Sequence, residues 1–305
     1  MKLSVIIPCL NAERTIAEQL EALANQHWSE NWEVIISDGG SSDRTIAIAG
    51  EYQKKLPNLR IVDSSDRKGA AHGRNVGARK ATGAALAFCE ADDVVASDWV
   101  AAIGEALDKY DFVAGYCDIK KLNQPWAIKA RTGGQLVDGW EDGIIKGQGF
   151  IKYPIAGGYT IGIKRSVHEA IGGFDESIMI GDDIDYSWRV QQAGTKLHHI
   201  PAVKIHYRLR HNLADIYRQA YGFGEYSFLL YRKYLALGII SSEALPVVKT
   251  DQKFMLKDLV KIRSKDQLAA WLWKVGYQRG YERSRGRYSK TETPTGRENL
   301  DSDFT

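Results

Sequence analysis

The segment Ala84-Ala85-Leu86-Ala87-Phe88-Cys89-Glu90-Ala91-Asp92-Asp93-Val94 passes from small and apolar residues into three carboxylates within four positions, then returns to apolar sequence. Its first part, Ala84 to Phe88, reads as a buried strand. Carboxylates crowded where a strand leaves a core lose hydration and repel one another. They require positive charge nearby, supplied either by Lys or Arg neighbours or by a divalent cation on oxygen ligands. Acidic turns after strands are common, so the weight of this one comes from the sequence around it.

Working outward, Leu3 to Pro8, Val34 to Ser37 and Leu59 to Val62 are further strand-like runs. Between them Ile16, Leu20, Leu23 and Ala24 recur at helical spacing, and Thr45 to Lys55 follows Ser42 or Asp43 as a helix cap. Ala70 to Lys80 and Trp99 to Tyr110 are predicted helices, and Phe112 to Cys117 is extended. Strands alternating with helices at this spacing predict βαβ units and an α/β fold with a mostly parallel sheet. Such sheets bind ligands beyond the carboxyl ends of their strands. The polar insertions Pro8 to Glu13, Asp38 to Asp43 and Glu90 to Asp93 all fall at such ends. No phosphate-loop G-x-x-x-x-G-K-[ST] occurs, and no G-x-G-x-x-G follows the first strand, which argues against P-loop NTPases and dehydrogenases. A ligand here is expected to be held by side-chain carboxylates and a metal.

The chain has 305 residues, 44% of them hydrophobic, enough for one large domain or a domain with an appendage. A formal charge of +3 is too balanced to announce nucleic acid. Cys9, Cys89 and Cys117 lie in apolar runs without paired spacing and are expected to be reduced core thiols. No apolar run approaches a membrane span, and the start is too short for a signal peptide. The expected location is cytoplasmic, either soluble or peripheral at the inner face of the membrane.

Several ordered motifs carry a resemblance. Ser4-Val5-Ile6-Ile7-Pro8-Cys9-Leu10-Asn11-Ala12-Glu13, Gln26, and Val34-Ile35-Ile36-Ser37-Asp38-Gly39-Gly40-Ser41-Ser42-Asp43 are followed by Lys68-Gly69 and Gly73-Arg74-Asn75-Val76-Gly77. Glu90-Ala91-Asp92-Asp93 comes next, then Gly172-Gly173-Phe174-Asp175-Glu176, Asp182-Asp183-Ile184-Asp185 and Arg189 to Gly194. The pattern resembles the family-two nucleotide-sugar glycosyltransferases over roughly the first two-thirds of the chain. The resemblance implies a GT-A fold, Mn²⁺ or Mg²⁺, a nucleotide-diphosphate sugar donor and inversion at the anomeric carbon. Glu90-Ala91-Asp92 would stand at the family's D-x-D motif, with Asp92 the direct metal ligand and Glu90 meeting the ribose or the metal shell. His206 would supply a late ligand to the metal or diphosphate, although a lone His between Ile and Tyr is as readily structural. Asp38 would accept the N–H of the nucleobase, with Pro8, Asn11, Glu13, Gly69 and Arg74 lining the donor pocket. Arg208 and Arg210 would neutralise the diphosphate or lie on the surface. Asp183 would be the general base, in a cluster with Asp182 and Asp185 that also suits simple capping of a helix running to Gln192.

Two residues depart from the family pattern: Glu90 where Asp is usual, and Asp182 where Glu is usual. No Q-x-x-R-W stretch is present, which favours transfer of a single sugar to a sugar or lipid-linked acceptor. The glycine-rich segment Lys146 to Tyr159 would border that acceptor. The expected organisation is a catalytic domain over 1–211, divided into a nucleotide half (1–117) and an acceptor half (118–211). A helical aromatic and basic appendage over 212–288 and a disordered tail over 289–305 would follow. In the appendage, Leu268 to Lys274 with Tyr277, Arg279, Tyr281, Arg283, Arg285 and Arg287 suits an anionic membrane surface or packing on the catalytic domain. Two other readings stay open: a catalytically silent binding protein of the same fold, and a sugar-nucleotide nucleotidyltransferase.

Overall fold

The computed structural model describes residues 2–132, 153–240 and 258–288. Its centre is β1 (Leu3–Cys9), in which every residue is buried. Leu3, Val5 and Ile7 feed one face of the sheet and Ile6 the other, so both faces are covered and the strand reads as a continuous apolar run. β2 (Trp32–Asp38) and β4 (Ala85–Phe88) flank β1 in parallel, and β3 (Leu59–Asp63) extends the parallel set beyond β2. Four more strands complete the sheet: β5 (Val94–Val95), β6 (Phe112–Asp118), β7 (Ile161–Lys164) and β8 (His198–His206). The order is β3-β2-β1-β4-β7-β6-β8-β5, with β7 antiparallel to both β4 and β6. This is a mixed α/β sheet, mostly parallel, as the alternation of strands and helices predicts. Insertion of β7 beside β4 joins the two expected halves, 1–117 and 118–211, in one sheet.

α1 (Ile16–Ala24) and α4 (Trp99–Lys109) cover one face through Leu20, Leu23, Val100 and Leu107. α2 (Thr45–Tyr52) follows β2; its first turn is tied by the Asp43 carboxylate, which accepts from the Thr45 backbone N–H, while the N-cap position is Arg44. α3 (Ala70–Lys80) covers the other face at unusually close range. A Cβ at Gly77 would lie 2.4 Å from Ile6 Cγ2, so only a glycine lets the helix rest on β1. That approach fixes the position of Arg74. α5 (Pro125–Thr132) and α6 (Arg165–Ala170) follow β6 and β7, and α7 (Asp182–Gln192) sends Tyr186 and Val190 into the second core.

His168 on α6 is buried in that core, 5.7 Å from Phe88 between ring centroids and hydrogen-bonded to the Tyr186 hydroxyl through Nδ1 at 2.8 Å. Burial, with Arg165 and Arg189 adding to it, lowers its pKa to about 4. A histidine held neutral in the fold but not in the unfolded chain stabilises the fold above its unfolded pKa, and that contribution is lost as pH falls. We therefore expect stability to drop by ~2–3 kcal/mol between about pH 6.5 and pH 4 from this group. Urea unfolding of wild type and His168→Gln across this range checks it; identical slopes would show that His168 does not couple.

α8 (Leu213–Ala236) and α9 (Lys265–Tyr288) form the C-terminal appendage. A Cβ at Gly224 would lie 1.9 Å from the Tyr277 carbonyl oxygen, and one at Gly280 the same distance from that of Tyr221. The two helices therefore touch backbone to backbone. α8 in turn is anchored on α7: Lys233 Nζ pairs with Asp185 at 2.6 Å and Asp175 at 2.7 Å, and Trp188 meets Tyr234 edge-on at 4.5 Å. Trp273 packs against Phe223 and under the Arg131 guanidinium, and Tyr281 against Phe228. The aromatic residues of the appendage thus have packing partners within the fold, while Arg279, Arg283 and Arg285 face solvent. The expected tail lies outside the described residues, as does the first half of Lys146 to Tyr159, 146–152.

Candidate active site

The carboxyl ends of β1, β2 and β4 open into one crevice. The β1 and β2 loops are tied together by side chains. Asn11, at φ 50° in the left-handed region that asparagine tolerates, accepts from Ser42 N–H at 2.9 Å. Glu13 accepts from Arg44 N–H at 3.2 Å, and Asp38 accepts from Ser41 Oγ at 2.6 Å and from the Ser41 and Gly40 N–H groups. These residues therefore shape the crevice wall as well as face it. Pro8 lies under α3, against Gly73. Gly69 holds φ 115° at the start of α3, and a side chain there would strike Met179 Sδ at 3.0 Å.

The acidic turn is held from beneath by Gln19, a fully buried side chain on α1. Its Nε2 donates to the Glu90 carbonyl at 3.0 Å, and its Oε1 accepts from Val95 N–H at 3.0 Å, so one amide spans both ends of the turn. The three carboxylates then have different fates. Glu90 Oε1 accepts from Arg74, whose other terminal nitrogen donates to Asp182 Oδ2. Asp93 is buried; Oδ1 accepts from Arg208 N–H at 2.7 Å, Oδ2 has no hydrogen-bond partner among the described residues, and burial raises its pKa well above the usual range. Asp92 is the accessible one, with a side chain 32% exposed and Oδ2 paired to Arg210 at 2.9 Å.

Arg74 is the junction of the site. It is almost fully buried, lies over the Phe174 ring at 5.2 Å, and is the only described guanidinium between Glu90 and Asp182. One positive charge cannot neutralise both the buried Asp182 and the partly buried Glu90, whose side chain is 25% exposed, so protonation of the pair is favoured. Burial raises Glu90 to about 7 and Asp182 to about 6, against the opposing pull of Arg74. Gly158 lies against the same junction. A Cβ there would meet Arg74 Nη2 at 2.5 Å and Glu90 Oε1 at 3.2 Å. Its N–H donates to Asp183 Oδ2 at 2.9 Å, and Asp183 Oδ1 accepts from Ile184 N–H at 2.9 Å. Glu90 and Asp183, 93 positions apart in sequence, thus sit on two sides of one glycine.

The family profile described as glycosyl transferase family 2 matches residues 4–172. The chain belongs to this family. It is 26% identical over 197 residues to glycosyltransferase AglE of Haloferax volcanii, a match spanning 64% of this chain and 62% of AglE, less than two thirds of that relative's length. In three dimensions it is similar to the Pyrobaculum calidifontis mannosyltransferase PcManGT, solved with GDP-Man and Mn²⁺, at a TM-score of 0.63, 19% identity and coverage of 95% and 88% of the two chains. It is also similar to Staphylococcus aureus TarS 1-349, solved with UDP-GlcNAc, at a TM-score of 0.54, 16% identity and coverage of 94% and 92%. The fold is that of the GT-A glycosyltransferases.

Other sequence-predicted residues of this family 2 chain divide into those the fold gathers and those it engages elsewhere. The Asp182–Asp185 cluster does not act as a side-chain cap: the N-cap of α7 is Gly181 in the left-handed region. Asp182 is committed to Arg74, and Asp185 is fully buried against Arg189, Lys233 and Tyr234. His206 faces Val94 across the β5–β8 ladder, next to the acidic turn, but its Nδ1 is bound to Asp118 at 2.8 Å and its Nε2 lies 3.3 Å from Lys121 Nζ. Among the described residues no three His, Cys, Asp or Glu side chains converge as a ready cage for a metal. A hard cation on a diphosphate needs only one or two protein carboxylates, the remaining ligands being phosphate and water. Asp92, partly exposed and already facing a positive partner, fits that requirement. Sequence reasoning missed Gln19, although a polar residue on the stripe Ile16-Leu20-Leu23 was its signal.

Proposed function

We propose that the chain transfers a single sugar, with inversion, from a nucleotide-diphosphate sugar to an acceptor hydroxyl, using Asp183 as general base. The observation that supports this best is the Gly158 junction, which seats Asp183 beside the acidic turn where the diphosphate would lie. In this reading the acceptor hydroxyl gives its proton to an Asp183 oxygen as its own oxygen forms the bond to the anomeric carbon. The bond from that carbon to the diphosphate breaks on the opposite face, and its electron pair leaves with the diphosphate. Two backbone N–H donors orient the Asp183 carboxylate and leave a lone pair on each oxygen for the incoming proton. Mg²⁺ or Mn²⁺, when bound, supplies Lewis-acid neutralisation of the leaving group. Asp92 would hold it, with Glu90 and His206 as further candidates beside the turn. Pro8, Asn11, Glu13, Asp38, Gly69 and Ala91 would line the nucleoside and sugar. The acceptor is proposed to be a sugar or a lipid-linked sugar. Among the described residues no helix is long and apolar enough to cross a membrane. Contact with an anionic membrane surface would fall to the exposed arginines of α9.

Asp92→Ala is expected to weaken binding of UDP or GDP in Mn²⁺ by about tenfold or more, because the diphosphate–metal charge loses its protein ligand. Calorimetry with and without Mn²⁺ checks this, and unchanged metal-dependent affinity would remove Asp92 from the assignment.

A further inference from the structure

α8 lies beyond the residues matched by the family profile, yet one stripe of it is given over to the segment that leads into the candidate base. Gly222, Tyr226, Leu230 and Lys233 recur at spacings of four, four and three, and so share a face of the helix. Each meets a residue between 175 and 181. Lys233 Nζ donates to Asp175 Oδ2 at 2.7 Å, Tyr226 is hydrogen-bonded to the Met179 backbone, and Leu230 Cδ1 borders Gly181. A Cβ at Gly222 would lie 2.3 Å from Ile180 Cδ1, so only glycine admits that side chain there. On its far side the same segment puts Met179 Sδ against Gly69, on the wall of the candidate donor pocket.

The Lys233 ammonium also donates to Asp185 Oδ1 at 2.6 Å, inside α7. Asp175 precedes the segment and Asp185 follows the candidate base by two positions, so one charge ties both ends of 176–184. Tying the ends of a loop restricts the conformations open to it. Both carboxylates are firm partners. Asp185 is fully buried and takes Arg189 on its other oxygen. Against the opposing effect of burial, hydrogen bonds from Lys233 and Ser177 lower the Asp175 pKa to about 2. Within the tied segment Asp182 meets Arg74 and Asp183 meets Gly158, the two contacts that seat the base beside the acidic turn.

We propose that Lys233 is a positioning residue for Asp183: its bridge from Asp175 to Asp185 fixes the segment that presents the carboxylate, which makes the C-terminal helices part of the catalytic unit. Naming the effect catalytic rests on the glycosyl-transfer reading above; the bridge itself does not. A lysine that only docked α8 would change stability alone when removed. A bridge across the segment also sets how accurately Asp183 is held, and a displacement of about 1 Å is enough to cost ~10²-fold in rate.

The test compares the full chain with Lys233→Met and Asp175→Asn by steady-state kinetics on the best donor–acceptor pair, calorimetry with UDP or GDP in Mn²⁺, and hydrogen exchange. Lys233→Met is expected to lower kcat about ten- to a hundredfold, with nucleotide affinity within about twofold of wild type. Amide exchange across 176–184 is expected to quicken about tenfold while β1 and β4 keep their protection. Asp175→Asn opens one end of the bridge and leaves the buried Asp185 compensated, so it tests the proposal even if Lys233→Met unfolds the chain. Smaller changes in the same directions are expected for it. The double variant should lose no more turnover than Lys233→Met alone, since both changes act through one contact. Wild-type kcat in both variants, nucleotide affinity falling in step with kcat, or unchanged exchange across 176–184 would overturn the proposal. Local exchange as described, in a chain whose turnover survives Asp183→Asn, would instead overturn the base assignment and leave the bridge across the segment standing.

Discussion

Asp183→Asn is expected to lower turnover of a productive donor–acceptor pair by ~10²–10⁴-fold while nucleotide affinity stays near wild type. Asparagine keeps the size of the side chain and one carbonyl oxygen, which can still accept from Gly158 or Ile184 N–H. What it loses is the capacity to take a proton from the acceptor hydroxyl. The two neighbouring aspartates supply the contrast. Asp185→Asn disturbs a buried carboxylate that meets Arg189, Lys233 and Tyr234, so its effect should appear in stability and in the docking of α8 before it appears in turnover. Asp182→Asn weakens one arm of Arg74 and should shift the site as a whole. Turnover measured together with urea unfolding separates these cases. Equal turnover losses in all three variants, tracking their stabilities, would reduce Asp183 to a structural residue.

Arg74→Met is the second large effect. The methionine approximates the volume of the stem, so the loss is chiefly that of the guanidinium between the buried Asp182 and the partly buried Glu90. Removing one partner of a buried pair costs ~3–5 kcal/mol, because the remaining charge is left without compensation. The sign with pH follows from the same geometry. Burial already raises Glu90 and Asp182, and without Arg74 both rise further, so lowering the pH lets them neutralise inside the fold. The difference between Arg74→Met and wild type should therefore be large near pH 8 and shrink toward pH 5. Urea midpoints at the two pH values check this; a difference that grows on acidification would mean that Glu90 and Asp182 are not the groups Arg74 compensates. Arg74→Lys retains the charge but not the fork, and should fall between the two.

The sheet was legible in the sequence because its central strands are buried on both faces and bounded by polar loops. Leu3 to Pro8, Val34 to Ser37 and Leu59 to Val62 therefore differ from the observed strands by a residue or two at their ends. β5 and β7 were not legible: two or four residues carry no period, and β7 takes its place between β4 and β6 only through tertiary pairing. At the site, the sequence exposed the charged residues but not their pairings. The acidic turn called for a cation or basic partners, and the fold supplies the Arg74 guanidinium from α3 and that of Arg210 from the segment after β8, with the Arg208 backbone N–H on Asp93. Arg74 was read as a pocket-lining residue, because spacing within α3 says nothing of Asp182, 108 positions away. Gly158 was legible only as part of the glycine-rich segment Lys146 to Tyr159 bordering the acceptor. Its role depends on the absence of a Cβ against Arg74 and Glu90 while its N–H holds Asp183, contacts that no local pattern encodes.

The central claim, sugar transfer by Asp183 beside a metal-dependent donor site, is tested most directly by measuring nucleoside-diphosphate release. The full chain would be supplied in turn with UDP- and GDP-sugars, together with a panel of sugar and alkyl-phosphate-linked acceptors, in Mn²⁺ and again in EDTA. The account predicts that at least one donor is consumed in an acceptor-stimulated, Mn²⁺-dependent reaction, and that Asp183→Asn abolishes the stimulation without abolishing donor binding. Acceptor-stimulated release that proceeds equally in EDTA, or that Asp183→Asn leaves intact, would contradict it.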